Sequence, residues 1–338
     1  MSVLSVDVYH LCLQILHVPL SVFVILGILT NGVNIVVFVK QGVTSGSITW
    51  ALFAMSATSF LASVILLPQV VCYYAEMVNA DVYNACSLIS TATIFLHFIW
   101  NKVTCFFTVY ISVERAICVV RPLHVQTYMK LQYKILIVLS LCVVTTLAYV
   151  GYSATLKIAW VPSRVWNGTM VFLLSQTDSS PLFYLLNFIV NSLVVTNVAI
   201  VTIATSAVVM VTRLNATLRW RESVSHTARP AHPRKGSKPK PSCKLSSKNV
   251  ELCRTVVVIT LFYLACLLCS HLPVMTFLVM PGVSFDGENK MLLDVILTIR
   301  FDLDALYSSL NIFFYLKLSS NYREIFFSLF NSPKLCGR

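Results

Sequence analysis

The chain has 338 residues, of which 57% are hydrophobic and only 11% are charged, with a formal net charge of +12. Such a composition excludes a soluble globular protein and leaves no room for a soluble catalytic domain. Because about 20 helical residues cross a hydrocarbon core of about 30 Å, the length fits several membrane crossings joined by short loops.

Apolar segments with few charges recur along the chain and predict a bundle of seven transmembrane helices. A short N-terminus over 1–10 precedes the membrane domain, which covers residues 11–317. A short amphipathic eighth helix over 320–331 and a cytoplasmic tail over 332–338 follow. The seven predicted spans are about 11–39, 47–74, 84–119, 132–156, 181–213, 250–280 and 290–317.

Lysine and arginine are distributed unevenly between the two sets of loops. If the N-terminus is outside, 20 of the 25 basic residues fall on the inner side and three on the outer side. Because cytoplasmic loops hold the excess of basic residues, we expect an extracellular N-terminus and a multi-pass protein of the plasma membrane. Membrane topology also explains the net positive charge better than a nucleic-acid partner does.

The longest loop, over 215–248, is basic and rich in proline. This composition predicts a disordered intracellular segment, which offers a surface to an intracellular partner or to anionic membrane lipids. On the outer side, Asn167-Gly168-Thr169 is a glycosylation sequon, and Cys336 after the eighth helix is a candidate for palmitoylation. No His, Cys or acidic residues have metal-ligand spacing, so we expect neither a metal nor another cofactor.

Polar side chains recur at helical spacing in the third and seventh predicted helices. Because polar groups are costly in hydrocarbon, these two stripes, together with His271 in helix six, predict a shared polar site. The alternative is that they only satisfy one another between helices, with Asp304 paired to Arg300 one turn earlier. Lys102 and Asp302 lie off both stripes. The predicted ligand-binding residues are His97, Asn101, His271, Asp304 and Tyr307.

Short motifs at the ends of these helices resemble those of rhodopsin-like G-protein-coupled receptors. Glu114-Arg115-Ala116 resembles the Asp/Glu-Arg-Tyr motif of helix three, and Pro273 stands where that family has the helix-six proline. Asn311-Ile312-Phe313-Phe314-Tyr315 resembles the Asn-Pro-x-x-Tyr motif of helix seven, with isoleucine in place of proline. The resemblance implies that the residues involved in activation and G-protein coupling are Glu114, Arg115, Pro273, Asn311 and Tyr315.

The segments NIVVFVKQG, PGVSFDG and SSLNIFFYLKLSSNYRE are similar to those of gastropod chemosensory receptors and related invertebrate neuropeptide receptors. The resemblance implies a receptor, not an enzyme, that transduces a small-molecule or short-peptide ligand to a heterotrimeric G protein. A seven-helix ligand-gated channel with its N-terminus inside is a second class, which the loop charges oppose. An intramembrane enzyme or a transporter lacks a supporting pattern.

The sequence also departs from the rhodopsin-like pattern. Ser59 stands where such receptors have a sodium-binding aspartate, so we expect no conventional sodium site. The outer loop over 157–180 contains no cysteine, so the usual disulfide to helix three cannot form. Cys72 and Cys86 are left as either a disulfide or two free thiols. Helix four lacks its tryptophan and helix five its proline, which leaves open a receptor that has lost signalling.

Overall fold

A computed structural model describes residues 4–43, 47–75, 80–120, 131–162, 169–177, 180–227, 247–275, 280, 282–283 and 287–330. A π-helical segment, Phe188–Thr196, joins the helices Ser180–Asn187 and Asn197–Thr227, and two antiparallel strands pair with each other. The strands are β1 (Leu156–Pro162) and β2 (Met170–Gln176). The helices are α1 (Val6–Gln41), α2 (Ser47–Ala75), α3 (Ala80–Val120), α4 (Leu131–Ser153), α5 (Ser180–Asn187), α6 (Asn197–Thr227), α7 (Ser247–Val274), α8 (Lys290–Leu318) and α9 (Ser320–Phe330).

Within the described residues, six helices are long and apolar enough to cross a membrane. They are α1 to α4, the continuous helix formed by α5, the π-helical segment and α6, and finally α7. The predicted membrane character of the chain is therefore confirmed. Helix α8 has the required length but carries Arg300, Asp302 and Asp304 near its centre, so a seventh crossing stays a prediction.

The long helices form a closed bundle. Each of α1, α2, α3, α6, α7 and α8 packs against the next, α8 returns to α1, and α4 packs against α3. Large apolar side chains on the outer faces are exposed, such as Leu139 and Leu147 on α4. An exposed apolar surface of this extent is what contact with lipid requires.

Two helices extend beyond the predicted apolar spans. Helix α1 begins at Val6 and not near residue 11, because Ser5 Oγ caps it by accepting the Val8 N–H at 3.4 Å. Helix α6 runs to Thr227, so residues 215–227 are helical and not part of a disordered loop. They contain neither glycine nor proline, so nothing local ends the helix there. The rest of the predicted loop, 228–246, lies outside the described residues.

Helix α9 follows α8 after a single residue, Ser319, and packs against the C-terminal half of α1. Its Tyr322 side chain is buried, whereas Arg323 and Glu324 are exposed, as the amphipathic pattern predicts. The helix is therefore held to the bundle by the face that carries Tyr322.

Candidate functional site

A carboxylate of α8, Asp304, is the centre of a polar cluster between α3 and α8. Asn101 Nδ2 donates to Asp304 Oδ2 at 2.6 Å, and Arg300 Nε lies 3.9 Å from the same oxygen. His97 Nε2 lies 3.7 Å from it on the other side. The two polar stripes predicted from helical spacing therefore meet in the structure, and Asp304 and Arg300 also form the predicted internal pair.

His97 and Arg300 are held by further contacts. His97 Nδ1 lies 3.1 Å from the carbonyl oxygen of Ala62 in α2, which makes Nδ1 the donor in that hydrogen bond. The Arg300 guanidinium lies over the Phe98 ring, with Cζ 4.4 Å from the ring centroid. An aromatic face attracts a guanidinium and lowers the cost of its burial. Both side chains are therefore fixed in position around Asp304.

A cavity of about 370 Å³, here called the main cavity, opens between α3, the π-helical segment, α7 and α8. Three of the five predicted ligand-binding residues line it, namely Asn101, His271 and Asp304. Its charged lining residues are Lys102, Arg300 and Asp304. The structure thus brings together an α3 residue, an α7 residue and an α8 residue around one space, as the sequence predicts.

The other two predicted ligand-binding residues, His97 and Tyr307, line a neighbouring cavity of about 300 Å³, which also contains Ser59. Tyr307 is buried against Thr108, whose Oγ1 is 3.3 Å from the tyrosine hydroxyl. Its ring centroid lies 4.4 Å from that of Tyr263 in α7. Tyr307 and His97 therefore do not line the main cavity, because interhelical contacts hold them in the layer next to it.

Lys102 is the residue of the site that helical spacing does not reveal. Its side chain is 5% exposed, and Nζ donates to the carbonyl oxygen of Asn191 at 3.1 Å and to Thr196 Oγ1 at 2.5 Å. Both acceptors belong to the π-helical segment, and the Thr196 hydroxyl itself donates to the Asn191 carbonyl at 2.6 Å. Lys102 therefore binds backbone and hydroxyl oxygens, and among the described residues it contacts no carboxylate.

Four of the residues that the receptor resemblance assigns to activation, Glu114, Arg115, Asn311 and Tyr315, lie farther along α3 and α8 than the main cavity, whereas Pro273 follows the cavity-lining His271 by two residues. Glu114 is buried and Arg115 half-buried in the last two turns of α3. Pro273 stands in the last described turn of α7, which the structure describes to Val274. Residues 276–279 lie outside the described residues, so the role of this proline stays a prediction.

Asn311 and Tyr315 of α8, the predicted seventh helix, are both buried in the bundle. The Tyr315 ring packs against Phe38 of α1 and Tyr322 of α9, with centroids 5.5 Å and 5.3 Å away. Aromatic side chains of α1 and α9 therefore pack against Tyr315, the residue that resembles the tyrosine of the Asn-Pro-x-x-Tyr motif.

A row of hydrogen bonds, not expected from the sequence, connects α2, α8, α1 and α9. Ser63 Oγ lies 3.4 Å from Ser308 Oγ, and Asn31 Nδ2 donates to the same Ser308 hydroxyl at 2.9 Å. Asn34 Nδ2 then donates to Asn31 Oδ1 at 3.5 Å, and the Tyr322 hydroxyl donates to Asn34 Oδ1 at 2.5 Å. These hydrogen bonds thus connect Ser63 and Ser308, which line the cavity of about 300 Å³, with α9.

The remaining predicted positions concern modification. Asn167 and Cys336 lie outside the described residues. Cys72 and Cys86 are both buried, and no disulfide joins these two residues in the structure. The redox state of the two sulfurs stays a prediction.

The sequence matches no protein-family model, and no curated protein is significantly similar to it. Its own features define the class of molecule at the level of a multi-pass α-helical membrane protein. Its distinguishing feature is a buried polar cluster, centred on Asp304, beside an interhelical cavity.

Proposed function

We propose that the chain is a rhodopsin-like G-protein-coupled receptor of the plasma membrane, with a chemosensory role. The observation that carries the proposal is the junction of α3 and α8 at Asn101 and Asp304, beside a polar interhelical cavity that residues of α3, α7 and α8 line together.

In this proposal α8 is the seventh crossing, with the N-terminus outside and α9 on the inner leaflet. Charged residues inside a membrane are tolerated when they face the bundle and pair with one another. Arg300 and Asp304 satisfy this condition, because their side chains are only 14% and 13% exposed and lie within ion-pair distance. Two of the three charges that distinguish α8 from the six apolar helices are therefore compatible with a crossing, whereas the buried carboxylate of Asp302 has no hydrogen-bond partner among the described residues.

A ligand in the main cavity would contact α3, α7 and α8 together, and it can act only by binding two arrangements of these helices with different affinity. Ser112 of α3 and Thr260 of α7 are linked farther along the same helices, with their hydroxyl oxygens 3.2 Å apart. Since Arg115 follows Ser112 by three residues, a shift of α3 against α7 would change how Arg115 is presented to a heterotrimeric G protein.

Two measurements test the proposal. An epitope tag at the N-terminus should be detected by antibody on intact cells, and detection only after permeabilisation would contradict a receptor and favour the channel class. Purified chain in lipid nanodiscs, screened against small odorants, amines, lipids, organic acids and short peptides, should accelerate nucleotide exchange on a heterotrimeric G protein. The variant Arg115→Ala should abolish that acceleration at unchanged expression. Ligand binding without any exchange would argue for a receptor that has lost signalling.

A further inference from the structure

The ionisable groups of the main cavity are unequal in sign. Its lining contains two basic side chains, Lys102 and Arg300, and one carboxylate, Asp304. His271 also lines it, and protonation of this ring would add positive charge only. The excess charge of the lining is therefore positive.

The negative charge of Asp304 is already compensated. Its Oδ2 accepts the 2.6 Å hydrogen bond from Asn101, and Arg300 Nε lies 3.9 Å away. A proton on His97 Nε2, which lies 3.7 Å from the same oxygen, would add a further cation beside it. A cationic ligand would therefore compete with Arg300 for a carboxylate that is already paired.

The positive charge of Lys102 is not compensated in the same way. Its ammonium donates to two neutral oxygens of the π-helical segment and has no ion-pair partner among the described residues. A lysine ammonium has three donors, so one remains for a ligand. A cation that is 95% buried without a counter-ion is unfavourable, and an anion bound beside it would offset much of that cost.

We propose that the main cavity binds a small organic monoanion, with a carboxylate held by Lys102 as its counter-ion. This inference rests on the proposed receptor function for its biological meaning, but the binding site itself does not require it. One excess positive charge matches a singly charged ligand, and a dianion such as inorganic phosphate would leave one negative charge uncompensated. Leu267 and Tyr263, which line the cavity near α7, provide an apolar wall for the carbon skeleton.

The experiment uses the full purified chain in lipid nanodiscs and measures its melting temperature against ligand concentration. The probes are benzoate and the straight-chain carboxylates from acetate to octanoate, each compared with its amide and its amine. Because ligands that bind the folded state stabilise it by mass action, the shift reports affinity. At least one carboxylate should raise the melting temperature at concentrations at which its amide and amine do not. Equal shifts within every set, or larger shifts with the amines, would overturn the proposal.

Variants assign the effect to Lys102. We expect Lys102→Met to weaken carboxylate binding about 30-fold or more, since removal of one member of a buried charge pair costs about 2 kcal/mol or more. Lys102→Arg should retain most of the binding, and Lys317→Met, at the exposed end of α8, should change nothing. If Lys102→Met lowers the melting temperature but keeps the full carboxylate shift, Lys102 only fastens the π-helical segment and the proposal is wrong.

If Lys102→Met does not fold, the comparison of carboxylate with amide in the unaltered chain decides alone. Carboxylates that bind are then tested for nucleotide exchange on a heterotrimeric G protein. Binding without exchange would remove the proposed receptor function and leave the anion site intact. Exchange triggered by amines but not by carboxylates would support the proposed receptor function and overturn the anion site.

Discussion

The hydrogen bond between Tyr322 of α9 and Asn34 of α1 should contribute measurably to stability. Its oxygen–oxygen distance is 2.5 Å, and both side chains are almost completely buried. Tyr322→Phe keeps the ring but leaves Asn34 Oδ1 without this donor, and an unsatisfied buried polar atom costs about 1–3 kcal/mol. We therefore expect the free energy of unfolding to fall by that amount.

The chain offers a matched control in Tyr315, whose ring packs against the same Phe38 at nearly the same distance, 5.5 Å against 5.6 Å for Tyr322. The Tyr315 hydroxyl is buried beside Ser56 but makes no hydrogen bond of normal geometry to the described residues, so Tyr315→Phe should cost less stability than Tyr322→Phe. Thermal unfolding can be followed with a thiol-reactive dye, because cysteines such as Cys105 are buried until the bundle opens. Equal losses in the two variants would refute the reasoning.

A double-mutant cycle with Asn34→Leu isolates the pair. The loss from Tyr322→Phe should shrink to near zero once Asn34 is absent, because the partner that it would leave unsatisfied is no longer there. An unchanged loss in that background would assign the effect to the ring of Tyr322 and not to its hydroxyl.

Three further results are expected. Gly27→Ala should destabilise the chain by about 1–3 kcal/mol, because the new Cβ would lie 2.7 Å from Ser63 Oγ, whereas Gly32→Ala, with its nearest contact at 3.7 Å, should be tolerated; equal melting temperatures would contradict this. Asp304→Asn should abolish or strongly shift agonist potency at equal surface expression, measured by dose response, and unchanged potency would count against the site. Because Ser59 supplies no anionic ligand, sodium should leave agonist affinity nearly unchanged in radioligand competition, and a strong dependence would contradict the absence of a sodium site.

Helical periodicity was sufficient to predict which faces of α3 and α8 meet. Asn101 and Asp304 are 203 residues apart, yet each stands on a polar stripe whose burial lipid enforces, and the two side chains are in contact. The same reasoning predicted the inward face of α9 through Tyr322. Loop charges predicted an orientation, which awaits the epitope experiment.

Side-chain chemistry alone could not predict the environment of Lys102. The residue directly follows Asn101, so helical geometry turns it about 100° away from the polar stripe. Its acceptors are the backbone carbonyl of Asn191 and the hydroxyl of Thr196, both in the π-helical segment. Phe188–Thr196 contains no proline or glycine, so the sequence does not indicate a π-helix there. For Tyr307, periodicity predicts the face of α8 that carries the side chain. It does not predict that contacts with neighbouring helices keep this side chain out of the main cavity.

The π-helical segment also makes the site depend on chain length more than on residue identity. A π turn accommodates one more residue than the α turn that would replace it. Deleting any single residue between Phe188 and Thr196 would let the α ladder close and withdraw the Asn191 carbonyl from Lys102. Conservative substitutions in this segment would leave those acceptors in place. An insertion or deletion of one residue in this segment would therefore break the hydrogen bond between Lys102 and the Asn191 carbonyl.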